Sequence, residues 1–374
     1  MIYLDNSATG GFKPNSVIEA VCTVVKYLSA NPGRSAHRLS LTGANIVYDC
    51  RKELANLFSC TPERVIFTKN CTEALNQAIF GTVRKNGHVI TTIYEHNSVL
   101  RPLYRLAEQN LITLSIVSPK ENIPLEQVIE NEIRENTYMV ATTSASNVTG
   151  EVLPIHKIGM LCKKYNLLYL VDGAQGGGHM PISLERDNIS MLALAGHKGL
   201  YGIMGSGALL LCDSVSVQPI TFGGTGIATF NHNQPDEYPE RLECGTLNLP
   251  AIAGLKEGVL FTKKHLTNFA ERLENITEKV ITELQKLNNV IVYSKPNPTG
   301  IVSFNLENYD ASTVCDILNL EFDIAVRGGA HCAPLMHEFL STKEKGIIRA
   351  SIAVQNSGNE LNCFINAIKN IASR

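Results

Sequence analysis

The feature that most restricts the fold is the alternation of short apolar runs with amphipathic segments through about residue 215. Residues 65–68, 168–171 and 207–211 are almost entirely apolar, as expected for strands buried on both faces of a parallel sheet. Residues 14–28 carry apolar side chains at helical spacing. Strands that alternate with helices build a sheet covered by helices on its faces. The sequence therefore predicts an α/β domain with a mainly parallel sheet.

The pattern changes at about residue 260. A charged helix is predicted at residues 262–287, followed by apolar segments at 300–306, 322–329 and 346–354 and a helix at 359–373. We predict a large domain at residues 1–258 and a smaller α+β domain at residues 259–374, with about the first 15 residues packing on the small domain. Residues 219–250 are glycine-rich and are predicted as a long connection.

Composition excludes several classes of protein. The net charge is −2 with lysine and arginine scattered along the chain, whereas a nucleic-acid-binding surface would form a basic stripe. No export signal begins the chain and no apolar run approaches a membrane span, so we expect a cytoplasmic protein. The ten cysteines never occur as C-x-x-C, which argues against a metal site and predicts free thiols in a reducing compartment.

Polar residues follow the predicted strands at the point where each strand ends, which is where open α/β sheets bind ligands. They are Asn70-Cys71-Thr72, Glu95-His96-Asn97, Ser146-Asn147, Asp172-Gly173-Ala174-Gln175 and Gly196-His197-Lys198. Each group alone has an ordinary explanation, such as a helix cap, a turn or a hydrogen-bonded core histidine. Together they place a carboxylate, an imidazole, an amide, an amine and a helix start at one edge of one sheet.

This set of groups meets the requirements of pyridoxal 5'-phosphate. That cofactor needs a lysine for a Schiff base and a carboxylate that keeps the pyridine nitrogen protonated, so that the ring accepts electrons. A helix start can hold its phosphate, and an aromatic side chain can cover its ring. Burial of Lys198 would lower the pKa of its amine and make it nucleophilic. We therefore predict that Lys198 binds the cofactor covalently.

The chain resembles the fold-type I, class V aminotransferase-like enzymes, and within them the cysteine desulfurase and selenocysteine lyase family. The resemblance runs nearly end to end. It is carried by YLDNSAT, NPGRSAHRLS, FTKNCTEALN, EHNS, SNVTG, VDGAQ, GHKGLYG, ECGTLN, VRGGAHCAP and IRAS, which follow one another in the family's order. It implies the fold-type I architecture, a mainly parallel large domain with a smaller C-terminal domain.

The resemblance also implies roles for the residues around the cofactor ring. Lys198 would carry the Schiff base, and Asp172 would pair with the pyridine nitrogen. Gln175 would bond the phenolic oxygen, and His96 would stack on the ring and is a candidate for proton transfer. These four residues are the predicted contacts of the ring.

The phosphate and the substrate are assigned on the same resemblance. Thr72, His197 and the backbone near Cys71 would hold the phosphate, and Asn147 would lie beside cofactor and substrate. Thr246 would reach the phosphate of the neighbouring subunit, which implies a homodimer with shared sites.

Two positions depart from the family's common pattern. Cys71 stands where threonine or alanine is usual, and Ala195 stands where a phosphate-binding serine is common. Loss of one neutral hydrogen bond costs roughly 1 kcal/mol, so a weaker grip on the phosphate is expected.

Cys332 lies in RGGAHCAP, which is predicted as a loop. Local sequence leaves an incidental cysteine and a functional one equally open. The stretch is similar to the short catalytic loop of group II desulfurases and unlike the longer serine-rich loop of group I, which favours a nucleophile. A thiol of pKa about 8.5 is only partly ionised at neutral pH, and either His331 or Arg327 could raise the thiolate fraction.

Arg349 interrupts the apolar segment at residues 346–354. A buried guanidinium needs an anionic partner, which could be a structural glutamate. A substrate carboxylate fits better because arginine binds carboxylates through two parallel hydrogen bonds. The matching arginine of the family anchors the amino-acid substrate, and Arg327 and Asn147 are further predicted substrate contacts.

The predicted function is conversion of L-cysteine to L-alanine by a cysteine desulfurase, with sulfur passing to Cys332 as a persulfide and then to an acceptor protein. Lys198 would take the Cα proton. A selenocysteine lyase that supplies selenium is the nearest alternative. A class V aminotransferase would not need Cys332, and a non-catalytic regulator would usually carry a DNA-binding module, which the sequence does not contain.

Overall fold

The protein is described here by a computed structural model that covers residues 1–33 and 35–374. Arg34, within the motif at residues 31–40, lies outside the described residues. The elements before residue 212 are, in order, β1 (Ile2–Tyr3), α1 (Asn15–Tyr27), α2 (Arg38–Phe58), a 3₁₀ turn (Pro62–Arg64), β2 (Val65–Thr68), α3 (Cys71–Gly81), β3 (Gly87–Thr92), α4 (Asn97–Glu108), β4 (Ile112–Val117), α5 (Leu125–Glu130), β5 (Thr137–Thr143), α6 (Ile155–Lys164), β6 (Leu168–Asp172), β7 (Met191–Ala195) and β8 (Gly207–Leu211).

The elements after the long connection begin with a helix that is longer than the others. They are α7 (Leu249–Gln285), β9 (Val290–Val292), β10 (Ile301–Leu306), α8 (Ala311–Phe322), β11 (Ile324–Ala325), β12 (Arg327–Gly329), α9 (Pro334–Phe339), β13 (Ile347–Ser351) and α10 (Gly358–Ala372).

The main sheet has the order β2-β8-β7-β6-β5-β3-β4. All of its neighbouring pairs are parallel except those that include β8, which runs antiparallel to both β2 and β7. Because β8 opposes both neighbours, β2 and β7 point the same way. The carboxyl ends of β2, β3, β5, β6 and β7 therefore meet at one edge, and the predicted mainly parallel α/β architecture is confirmed.

Alternate residues of the central strands pack on opposite faces of this sheet. Val140 of β5 belongs to a core that includes α2, α6 and the start of α7. Its neighbours Met139 and Ala141 belong to a second core, formed with α3 and α4. Burial on both faces explains the continuous apolar runs in the sequence. It also holds the first turns of α3 and α4 at the carboxyl edge of the sheet.

The C-terminal elements form a smaller antiparallel sheet of order β12-β13-β10-β9. The N-terminal strand lies with them, since β1 pairs with β11 and Leu4 packs in the same core as Phe304 and Phe364. The domain boundary predicted between residues 258 and 259 falls inside α7 and stays a prediction.

The helix predicted at residues 262–287 begins earlier, at Leu249, so the end of the predicted connection is helical. Asn248 caps this helix by accepting from the Ala251 N–H at 3.2 Å. The first turns were not predicted because they are small and apolar, which suits their packing against α1 and α2. Strands β1, β4 and β9 and helices α4, α5, α8 and α9 were also missed. Within the described residues, no helix combines the length and apolar character needed to cross a bilayer.

Candidate active site

A pocket at the carboxyl edge of the main sheet gathers most of the predicted cofactor residues. Its lining includes Cys71, Thr72, His96, Asn147, Asp172, Gln175, His197 and Lys198. Thr246 is exposed in the connection before α7 and is not part of this lining. The predicted substrate and sulfur residues Arg327, Cys332 and Arg349 belong to the C-terminal elements.

The start of α3 forms one end of the pocket. Asn70 caps the helix through its side-chain oxygen, which accepts from the Glu73 N–H at 2.9 Å. The first N–H groups of a helix have no intrahelical partner and favour an anion, as does the helix dipole. The Thr72 hydroxyl lies 2.8 Å from that of Ser98, a residue not predicted for the site. This end of the pocket can therefore hold a phosphate group.

Asp172 is buried at the end of β6, and one of its carboxylate oxygens is fully used. Oδ1 accepts from the Ala174 N–H at 2.9 Å and from the Cys71 thiol at 3.3 Å. Burial, and the charge of Asp172 as a second cause, raise the pKa of Cys71 well above its usual value, so the thiol stays protonated and donates. Cys71 thus supplies a hydrogen-bond donor that alanine at this position would lack. The arrangement leaves Oδ2 available to a donor in the pocket.

Lys198 follows β7 on a backbone that packs unusually closely. A Cβ on Gly199 would come within 2.6 Å of the Gly177 carbonyl oxygen, and one on Gly178 within 2.3 Å of the Gly199 oxygen. Only glycine fits this contact, which explains the small residues around the lysine. Burial, and next the positive charge of Arg349, lower the pKa of the Lys198 amine. A larger fraction of the amine is therefore neutral and nucleophilic than in an exposed lysine.

His197 precedes this lysine, and both its ring and its backbone carbonyl form hydrogen bonds. Its Nδ1 lies 3.1 Å from the Thr9 hydroxyl, and its carbonyl accepts from the Lys13 amine at 3.0 Å. Burial and the nearby Lys198 charge lower the pKa of His197 to about 4, so the ring is neutral at neutral pH. It can donate one hydrogen bond but adds no positive charge to the phosphate end.

His96 caps α4, with Nδ1 accepting from the Ser98 N–H at 3.0 Å. Burial lowers its pKa, and accepting at Nδ1 places the ring proton of the neutral form on Nε2. Glu95, the residue before it, is fully buried, and burial raises the pKa of its carboxyl group to about 8. The Thr92 hydroxyl donates to Glu95 Oε1 at 2.6 Å. At neutral pH this acid is mainly protonated, so it adds little negative charge near Asp172.

Two buried amides in the pocket keep unused hydrogen-bonding capacity. Asn147 donates through Nδ2 to the His331 carbonyl at 2.7 Å, and Gln175 donates to the Ser7 carbonyl at 3.3 Å. Within residues 1–33 and 35–374, the oxygens Asn147 Oδ1 and Gln175 Oε1 are buried without a partner. Buried polar groups are normally satisfied, so both amides fit a site completed by a ligand.

The partner of buried Arg349 is Asp5, and not a glutamate. Arg349 Nη2 donates to Asp5 Oδ1 at 3.1 Å, and Nη1 donates to the Asn147 carbonyl at 2.9 Å. A bridge between Asp5 and Ser351 brings the N-terminal segment beside β13. The guanidinium is thus fixed in orientation beside the pocket residue Asn147. Its Nε is buried and has no partner among the residues that the structure covers.

Cys332 lies in the loop between β12 and α9, as predicted from the sequence, and is exposed. His331 and Cys332 both adopt left-handed backbone conformations, with φ of 48° and 57°. Such conformations are uncommon for residues other than glycine. The Asn97 N–H donates to the Cys332 carbonyl at 2.7 Å, and Asn147 holds the His331 carbonyl. These contacts tie the cysteine loop to the start of α4 and to the pocket.

His331 does not supply positive charge to this cysteine. Its Nε2 donates to the Ile347 carbonyl at 2.9 Å, and burial lowers its pKa to about 3. The ring is therefore neutral at neutral pH. Of the two groups considered for raising the thiolate fraction, the cation is Arg327, which is exposed on β12 opposite Arg349 in the sheet register.

The ten cysteines are all free thiols. In the part of the chain that the structure covers, no cluster of three or more histidine, cysteine, aspartate or glutamate side chains is arranged to hold a metal ion.

Comparisons with known proteins agree with this architecture. A family model described as aminotransferase class-V matches residues 2–364. A probable cysteine desulfurase of Pyrococcus abyssi (strain GE5 / Orsay) is 31% identical and aligns over 99% of this chain and 94% of its own. A probable cysteine desulfurase of Methanothermobacter thermautotrophicus is 29% identical over the same shares. The apo structure of a cysteine desulfurase from Thermococcus onnurineus NA1 superposes with a TM-score of 0.92 at 30% identity, covering 100% of this chain and 94% of that one.

Proposed function

The chain belongs to the aminotransferase class-V family, and from this premise we propose that it is a cysteine desulfurase that depends on pyridoxal 5'-phosphate. It converts L-cysteine to L-alanine and passes the sulfur to Cys332 and then to an acceptor protein. The observation that carries the proposal is the exposed Cys332 on a loop tied by Asn147 to the pocket of Lys198 and Asp172. An aminotransferase has no use for a thiol at this position.

The pocket residues fit the proposed cofactor. Asp172 Oδ2 would pair with the pyridine nitrogen, and the start of α3 would hold the phosphate with Thr72 and His197. Lys198 would bind the cofactor covalently, His96 would cover its ring, and Gln175, whose Oε1 is buried without a partner, would accept from its phenolic hydroxyl. When bound, the cofactor supplies a ring that accepts the electrons released at the substrate Cα.

The chain's own groups handle the substrate and its protons. The fixed guanidinium of Arg349, with Asn147 and Arg327, would hold the substrate carboxylate. The Lys198 amine, whose pKa is lowered by burial, would take the Cα proton. His96 carries its proton on Nε2 and would return a proton to the product carbon.

Sulfur transfer is assigned to Cys332. Its thiolate attacks the side-chain sulfur of the substrate, an S–S bond forms, and the bond between that sulfur and the substrate Cβ breaks. The electron pair of the broken bond stays with the carbon skeleton, which gains protons and leaves as alanine. One cysteine and the Cys332 thiol thus become one alanine and one Cys332 persulfide, without another oxidant.

A product assay tests this function. Purified enzyme given L-cysteine and dithiothreitol is expected to release alanine and sulfide in equal amounts, because the reductant frees the bound sulfur. The measurement is amino-acid analysis beside a sulfide assay. Transfer of the amino group to a 2-oxo acid without sulfide would show an aminotransferase instead.

The active form is proposed to be a homodimer. Thr246 is exposed and absent from the pocket of its own chain, which suits a residue that completes a neighbour's phosphate site. Phe222 and Phe230, in the same connection, expose 72% and 99% of their surface, and large apolar side chains this exposed suit burial against a second subunit. Sedimentation is expected to show a dimer at assay concentration. A fully active monomer would contradict this assignment.

A further inference from the structure

A surface groove runs between α3 and α4 and reaches Cys332. Its lining includes Thr72, Asn76 and Phe80, which are four residues apart and share one face of α3. The α4 side contributes Ser98, Arg101, Pro102 and Arg105, and Cys332 lies at the rim. The groove thus joins the mouth of the pocket to a surface outside it.

The charged side chains that line this groove are both arginines. Arg101 and Arg105 are one helical turn apart and exposed. Neither guanidinium forms a salt bridge with a carboxylate of the described residues. His96, the remaining titratable nitrogen group in the lining, has a lowered pKa. The groove therefore presents two unpaired positive charges, with apolar contact from Phe80 and Pro102.

We propose that this groove, the α3–α4 groove, docks an acidic segment of the protein that accepts sulfur, with carboxylates paired to Arg101 and Arg105 and its thiol facing Cys332. This inference rests on the proposed function, and the acceptor protein would be recognised by its negative charge. An incoming thiolate is itself anionic, and unpaired cations beside the target raise its association rate.

The transfer balances without another reagent. The acceptor thiolate attacks the outer sulfur of the Cys332 persulfide, and a new S–S bond forms on the acceptor. The original S–S bond breaks, and Cys332 leaves as a thiolate. The acceptor then carries the persulfide, and the enzyme returns to its starting state.

The test separates docking from sulfur release. Enzyme loaded with cofactor is given L-cysteine, freed of the excess, and mixed with a thiol peptide that has acidic flanks or with a basic peptide of equal length. Peptide persulfide is measured by alkylation and mass spectrometry. Wild type is expected to favour the acidic peptide, and Arg101→Gln with Arg105→Gln to slow that transfer by about tenfold, at the low end of electrostatic steering. Added salt should slow the wild type in the same way.

Controls isolate the charges of the groove. Arg101→Lys with Arg105→Lys should restore most of the transfer, and Arg272→Gln, at an exposed arginine of α7, should leave it unchanged. Alanine release with dithiothreitol should stay at the wild-type rate in the Gln variant. Wild type without preference for the acidic peptide, or an equal loss in Arg272→Gln, overturns the docking proposal. Absence of alanine in wild type overturns the proposed function instead.

Discussion

Lys198→Ala is expected to lose covalently bound cofactor and to lose at least about 10³-fold in alanine formation, since general base catalysis alone contributes about 10²–10⁴-fold. The reason is that one amine both bonds the cofactor and takes the substrate proton. Borohydride treatment followed by peptide mapping measures the first loss, because reduction fixes the cofactor to its lysine. Wild type should carry the label on Lys198, and the variant should carry none.

Lys13 provides a matched control for this experiment. Its amine has a pKa lowered to about 8 by burial and donates to the His197 carbonyl, so it is a second reactive amine close to the same backbone. It lines a different cavity from the pocket of Asp172. Lys13→Ala should keep the borohydride-fixed label. Label retained in Lys198→Ala and lost in Lys13→Ala would show that the two lysines had been assigned the wrong way round.

The position of the pocket could be predicted from the sequence because it depends on local patterns. Each parallel strand ends in polar residues, and parallel strands end at the same edge, so Asp172, His96 and Lys198 had to lie close together. The mainly parallel arrangement of the main sheet could be predicted from the same pattern. The direction of β8 was not predicted. This strand is as apolar as its neighbours but runs antiparallel to them, and burial alone does not encode direction.

The contacts that sequence reasoning missed are long-range. Asp5 and Arg349 are 344 positions apart, and their ion pair exists because β1 joins the C-terminal elements. The hydrogen bond from the Cys71 thiol to Asp172 was not predicted, whereas the expected weaker hold on the phosphate stays a prediction. His331 was considered as a charge source for Cys332, but burial keeps it neutral. In each case the deciding quantity is burial or a contact between distant segments, neither of which local spacing reports.

Cys332→Ala is expected to retain cofactor and to lose sulfur release from L-cysteine by at least about a hundredfold, because removal of a nucleophile commonly costs several orders of magnitude. The variant lacks the thiolate that would take the sulfur, while the pocket lining is unchanged. Absorbance of the bound cofactor and alanine formation measure the two effects. Cys363→Ala, at an exposed cysteine of α10, is the matched control and should behave as wild type. Wild-type turnover of L-cysteine by Cys332→Ala would contradict the persulfide mechanism.

The same variant distinguishes the desulfurase from a selenocysteine lyase. The two substrates differ by one atom of similar size, and even a whole methylene is worth only about 1–3 kcal/mol in a pocket, so shape should discriminate weakly. A selenol is ionised at neutral pH and its carbon–selenium bond is weaker, so selenium can leave without attack by a thiolate. Wild type is therefore expected to process both amino acids, with L-selenocysteine faster, and Cys332→Ala to impair the cysteine reaction far more. Alanine formation from each substrate measures this difference. Equal losses would show that Cys332 serves both reactions, and a wild type active on L-selenocysteine alone would make the lyase the correct function.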